Sequence, residues 1–254
     1  MFDAAPWMQA AHASHAACYA LVAAYLAAVF FGRRWMADRE PYNLRLPLVV
    51  WNTALSVFSA AGFGFTVREL ARSLASHGWD AVVCGVHGAP GGEHIRFGYA
   101  GIWVALFAAS KVPELADTAF IVLRKRPLLL LHWYHHATVL AYCWLAYGWR
   151  SNAGFLFAVM NYGVHAVMYA YYALAAAGCK PPHGWIVTRL QIAQMAAGCL
   201  LCVYVWARRA LGEACDDLRA TALATLLYAS YLALFVDFSA TRWRGGAKDA
   251  HQKQ

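Results

Sequence analysis

The sequence predicts an all-α integral membrane protein with seven transmembrane helices. Three observations carry that expectation. Of 254 residues, 61% are hydrophobic and only 13% charged, far more apolar than a soluble domain. The apolar residues gather in runs close to the about 20 residues that a helix needs to cross a bilayer. Those runs are continuous rather than short and alternating, which speaks against a β-barrel.

Seven runs qualify: Ala13–Phe31, Leu46–Val67, Phe97–Leu123, Leu128–Tyr147, Ala153–Ala177, Trp185–Ala207 and Ala220–Ala240. Before the first there is neither a basic segment nor a cleavage site of the kind that marks a removable leader; His12 and His15 read as solvated interfacial side chains. The first run is Ala, Leu, Val and Tyr without internal charge, so a lipid-facing helix with little chemistry is expected. Pro41 among mixed charges marks a turn. The second run carries Asn52, Thr53, Ser56 and Ser59 beside Gly62 and Gly64, small residues suited to close helix packing. The stretch Arg68–Arg96 reads as a Gly-rich loop, and its His77, His87 and His94 are too irregularly spaced for a zinc site. Pro113 removes a backbone donor inside the third run and bends it. The other linkers are short, so residues 1–254 form one bundle and one domain.

Charge sets the orientation. Seven spans put the termini on opposite sides. The side with the C-terminus carries twelve basic residues (Arg33, Arg34, Arg39, Arg45, Arg124, Lys125, Arg126, Lys180, Arg242, Arg244, Lys248 and Lys253), the other seven. The positive-inside rule then places the C-terminus in the cytosol. Of the cysteines, Cys18, Cys143, Cys199 and Cys202 fall within spans and Cys179 in a cytosolic turn. Cys84 and Cys215 lie in the two longest loops of the opposite side, where a disulfide would persist. A Cys84–Cys215 bridge is expected there; two unpaired loop thiols are the alternative.

Ionisable groups inside apolar helices mark functional sites. In the fourth run His132, His135 and His136 share one helical face at i, i+3 and i+4. The third run holds Lys111, Glu114, Asp117 and Thr118; the fifth holds Asn161, His165, Tyr169 and Tyr172; the sixth holds Thr188, Gln191 and Gln194; the seventh holds Asp237. With a rise of about 1.5 Å per residue, most of these groups lie roughly 6–15 Å in from the cytosolic end of their helices. Four helices thus offer one polar layer, and one buried site open to the cytosol is the economical reading. The HxxHH pattern first suggests metal, as in membrane desaturases and hydroxylases. Such a centre needs histidines on several helices, and only His132, His135, His136 and His165 are embedded, leaving two hard metals short of ligands. A seven-helix transporter is the non-enzyme alternative, but the histidines lie toward one side and the halves show no repeat.

Four segments carry a family resemblance. Lys111-Val112-Pro113-Glu114-Leu115-Ala116-Asp117-Thr118, His132 to His136, Asn161 through Tyr172, and Thr188 with Gln191 and Gln194 resemble the KxPExxDT, HxxHH, NxxxHxxMYxYY and TxxQxxQ motifs of the ELO family of very-long-chain fatty acid elongases. The wording HWYHH and NYGVHAVMY looks most like the branch acting on saturated and monounsaturated chains of moderate length. The resemblance covers about residues 44–240. Lys253 stands without a second lysine, a departure from the family's dilysine retrieval signal.

The resemblance implies a barrel of the last six helices, built as an inverted repeat around a substrate tunnel, in the endoplasmic reticulum membrane. It implies a 3-ketoacyl-CoA synthase that joins a long-chain acyl-CoA to malonyl-CoA without metal or other cofactor. His135 is then the nucleophile, forming an acyl-imidazole. His165 stabilises the enolate or polarises the malonyl thioester, His132 and His136 hold tautomers and pass protons, and Asp117 orients an imidazole. Asn161 and Gln191 donate to carbonyl oxygens, and Gln194, Tyr169 and Tyr172 line the substrate path. Lys111 and Glu114 bind substrate or form a buried structural pair. Arg124, Lys125, Arg126 and Lys180 make a basic rim for CoA phosphates, though topogenic charge explains them equally. Partners are membrane lipid, the reductases and dehydratase of the elongation cycle and a second copy of the chain; nucleic acid is not expected.

Overall fold

The computed structural model describes residues 3–85, 98–179 and 181–251, and every element in it is helical. In chain order these are α1 (Ala5–Ala13), α2 (His15–Trp35), α3 (Arg45–Cys84), α4 (Gly98–Ser110), a 3₁₀ turn (Pro113–Leu115), α5 (Ala116–Leu123), α6 (Leu130–Gly148), α7 (Asn152–Ala176), α8 (Gly184–Ala210) and α9 (Leu218–His251).

Among the described residues, five helices (α2, α3, α7, α8 and the Leu218–Thr241 part of α9) are long and apolar enough to cross a membrane. The expected count of seven is not reached by this measure, for two physical reasons. The third run is broken where Pro113 supplies no N–H: α4 has 13 residues and α5 has 8, each shorter than the roughly 20 that span a bilayer. The fourth, α6, has 19 residues, but its three histidines dilute its apolar character.

Two further expectations are corrected. The opening segment, expected only to carry solvated histidines, forms α1, which packs across the C-terminal end of α6. Gly148 permits this approach, since a Cβ there would stand 2.9 Å from the His12 backbone nitrogen. The stretch after Val67 is not all loop: α3 runs 40 residues to Cys84. Arg68, Glu69 and Arg72 end the apolar run without breaking the helix, and Glu69 and Arg72 pair one turn apart. The interruption comes only at Gly78, whose φ of 77° favours a residue without Cβ. His87, His94 and Arg96 lie outside the described residues.

Helix α3 lies along α7, and α8 along α9. Small residues set both approaches. A Cβ on Gly62 would meet the Tyr162 ring at 2.5 Å, and one on Gly198 the Tyr228 ring at 2.1 Å. Ser56 secures the first seam by donating to the Ala166 carbonyl at 2.8 Å. Around these seams Phe107, Tyr142, Phe155, Phe157, Tyr162 and Tyr228 belong to one buried cluster.

At one end of the bundle Cys84 and Cys215 form a disulfide across 131 residues of sequence. Beside it the Asp216 carboxylate accepts from the Ser151 hydroxyl at 2.9 Å and the Asn152 N–H at 2.7 Å. Burial pushes the Asp216 carboxyl above its ordinary range, against the pull of those hydrogen bonds. Arg209 donates to the Asp216 carbonyl. The ends of α3 and α8 and the starts of α7 and α9 are thereby tied together.

Candidate active site

Away from the disulfide, the helices enclose a cavity of about 480 Å³. Asp117 reaches it from α5, His132, His135 and His136 from α6, Asn161, His165, Tyr169 and Tyr172 from α7, and Gln191 and Gln194 from α8. Arg124 and Arg126 line it near the end of α5.

Lys111 and Glu114 stand behind it. Both are buried, and the ammonium donates to Glu114 Oε1 at 2.7 Å and Oε2 at 2.9 Å. Ser110 adds a third bond to this carboxylate at 2.8 Å. They form the buried pair that was one of the two alternatives expected of them, and they are not among the residues lining the cavity. The break at Pro113 has a use here, because the 3₁₀ turn brings Glu114 back toward Lys111.

That pair orders two cavity residues. Lys111 can only donate, so the Asn161 atom 3.2 Å from its Nζ is the carbonyl Oδ1. The Asn161 amide is then left to donate to His165 Nε2 at 3.1 Å. This assigns the His165 proton to Nδ1, which faces Glu114 Oε2 at 4.0 Å, a contact too long for a hydrogen bond.

Asp117 does not orient an imidazole, contrary to the expectation. Its two oxygens accept from Trp51 Nε1 and from the Tyr169 hydroxyl, each at 2.7 Å. The carboxylate sits between α3 and α7 and fastens both to α5. The neighbour that reaches the histidine box is Thr118, whose hydroxyl is 3.0 Å from His132 Nε2 and 2.8 Å from the Tyr25 hydroxyl. Helix α2 therefore joins the site through Tyr25, against the expectation of a chemically silent first helix. No sequence signal marks Tyr25, a tyrosine in an apolar run; Trp51 was missed for the same reason.

The three imidazoles of α6 lie close together. Ring centroids of His132 and His136 are 4.4 Å apart, and those of His135 and His136 are 5.6 Å apart. His135 also faces Tyr231 of α9 at 4.9 Å, and the Tyr231 hydroxyl is held 2.6 Å from Thr138. Gln191 contacts Met168 Sδ at 3.3 Å.

The basic rim is smaller than expected. Lys125 turns away, donating to the carbonyls of Ala37 at 2.8 Å and Arg39 at 3.1 Å. A lysine there satisfies carbonyls left open where α2 ends. Lys180 lies outside the described residues.

A second, narrower cavity of about 50 Å³ continues from the first toward the disulfide end. Val139, Tyr142, Cys143, Phe157, Leu227 and Tyr228 line it. His135, Asn161, Gln194 and Met195 border both cavities. Cys143 is eight residues beyond His135 on α6, about 12 Å along the axis.

Apolar helices around an internal histidine-lined chamber define a multi-pass membrane protein. The ELO: GNS1/SUR4 family matches residues 10–250. The chain belongs to that family, the fatty acid elongases. Among its relatives, very long chain fatty acid elongase 6 of Drosophila melanogaster is 44% identical over 222 residues, covering 84% of this chain and 68% of the relative. Very long chain fatty acid elongase 6 of Mus musculus is 38% identical over 252 residues, covering 98% and 91%. Fatty acid elongase 3 of Trypanosoma cruzi is 37% identical over 226 residues, covering 79% and 74%.

Proposed function

We propose that this elongase is the condensing enzyme of the elongation cycle, a 3-ketoacyl-CoA synthase that uses His135 as its nucleophile. The observation that carries the reading is the position of His135 at the junction of a wide and a narrow cavity. The wide cavity has room for two thioesters with CoA toward Arg124 and Arg126, whose guanidinium groups suit phosphates. The narrow one, walled by Val139, Tyr142, Phe157 and Leu227, suits an extended acyl chain.

In this reading the His135 imidazole attacks the acyl-CoA carbonyl and expels CoA thiolate, which takes up the ring proton. The product is an acyl-imidazole. Malonyl-CoA then loses carbon dioxide, and the resulting thioester enolate attacks the acyl carbonyl, expelling the His135 imidazolate, which takes a proton from solvent, and leaving a 3-ketoacyl-CoA two carbons longer. His165 carries its proton on Nδ1 as long as Asn161 donates to Nε2, and this N–H, too far from Glu114 for a hydrogen bond, is the donor left for the malonyl thioester oxygen. No metal or other cofactor takes part.

The same reading counts α4 and α5 as one broken crossing. Seven crossings result, the last six forming an inverted-repeat barrel in the endoplasmic reticulum membrane, with the N-terminus luminal and the C-terminus cytosolic. Purified protein incubated with malonyl-CoA and a panel of acyl-CoAs tests the chemistry by mass spectrometry of products and intact chain. A 3-ketoacyl-CoA and an acyl adduct on His135, both lost in His135→Ala with folding intact, are expected. An adduct on Cys143, or no use of malonyl-CoA, would sink it. Chelator-sensitive activity restored by iron would turn the reading toward di-metal oxidation.

A further inference from the structure

We propose that Tyr25, on helix α2, is a positioning residue for the histidine box, acting through Thr118 to fix the tautomer of His132. The inference rests on the condensing-enzyme reading above and on hydrogen-bond bookkeeping along one buried chain. Tyr25 Oη, Thr118 Oγ1 and His132 Nε2 stand in line at 2.8 and 3.0 Å. Tyr25 and Thr118 are 6% and 2% exposed, so water does not compete for these groups.

One arrangement of protons leaves neither hydroxyl of the chain without an acceptor. If His132 Nε2 carried the proton it would donate to Thr118, and Thr118 would donate onward to Tyr25. The phenol hydrogen would then need another acceptor, and Tyr25 sits in an apolar cluster with Val29, Ala137, Leu115 and Trp133. In the reverse order the phenol donates to Thr118, Thr118 donates to Nε2, and both hydroxyl hydrogens have acceptors. His132 therefore keeps its proton on Nδ1, and its ring is held beside His136, 4.4 Å away between centroids. A hydrogen bond to one ring nitrogen selects which nitrogen is basic and which way the ring faces.

The relay also explains why a mostly lipid-facing helix carries a buried tyrosine. Val29 and Tyr25, one turn apart, make the face that α2 applies to α5 and α6. The aromatic ring fills that face; the hydroxyl alone reaches the site.

Tyr25→Phe separates the two roles, because it keeps the ring and deletes only the proton donor. With purified full-length protein, malonyl-CoA and a long-chain acyl-CoA, kcat should fall about tenfold while KM for both substrates and the melting temperature hold. The double-mutant cycle with Thr118→Val decides the route. If Tyr25 acts through Thr118, Tyr25→Phe causes no further loss in the Thr118→Val background. Should Thr118→Val fail to fold, Thr118→Ser retains the hydroxyl and should lose less kcat than Thr118→Ala. Unchanged kcat in Tyr25→Phe, or losses that multiply in the double variant, would overturn the proposal. A wild-type protein that does not consume malonyl-CoA would instead overturn the condensing-enzyme reading.

Discussion

Gly198 offers a way to shorten the narrow cavity without touching its histidines. An alanine Cβ at this position would lie 2.1 Å from Tyr228 Cδ1 and 2.2 Å from Cε1. Carbon atoms in contact need about 3.5–4.0 Å, so Gly198→Ala requires the ring to move by roughly 1.5 Å. It has little room to retreat, being buried and set against Phe157 with centroids 4.5 Å apart. The open direction is the cavity that Tyr228 itself lines, which holds only about 50 Å³. Each chain methylene that no longer fits costs about 1–3 kcal/mol, roughly tenfold or more in kcat/KM. Overpacking itself adds about 1–3 kcal/mol of instability. Competition among acyl-CoAs of graded length, followed by mass spectrometry, should show the longest accepted chains losing about tenfold or more in kcat/KM relative to shorter ones. A normal length profile in a variant of normal melting temperature would refute the reasoning and remove the narrow cavity from the acyl path.

Lys111→Met leaves the Glu114 carboxylate buried with Ser110 as its remaining side-chain donor, and should destabilise the protein by about 3–5 kcal/mol in a detergent melt; the Lys111→Met, Glu114→Leu double variant should recover part of that loss, yet remain inactive because Asn161 and His165 lose their support. Replacing Cys84 and Cys215 by serine should cost about 2–5 kcal/mol, measured by thermal unfolding, with the wild-type value under reducing conditions falling to match.

The polar layer was legible because a membrane helix converts sequence position into depth at a nearly constant rise. Counting from the ends of apolar runs was enough to bring His132, His165 and Gln191 to one level, and the structure sets all three on one cavity. Other features carried no such signal. Helix α3 continues past Val67 because charged residues end an apolar run but not a helix. Asp117 was assigned to an imidazole on charge, whereas its partners were decided by which helices pack on either side of it. Tyr25 and Trp51 show the same limit: a hydroxyl or indole N–H in an apolar run looks alike whether it meets lipid or a partner. Lys125 was grouped with its arginine neighbours by sequence, yet its side chain points to the end of α2.

The disulfide and the Asp216 knot sit at the far pole from the arginines, and they staple four helices where a tail would come to rest. The covalent link holds that pole closed, whereas the opposite pole is joined by hydrogen bonds such as those of Lys125 and Arg45. If the proposed reading holds, any parting that admits a substrate would fall to the hydrogen-bonded pole, and the covalently closed base would keep the same ruler from one turnover to the next.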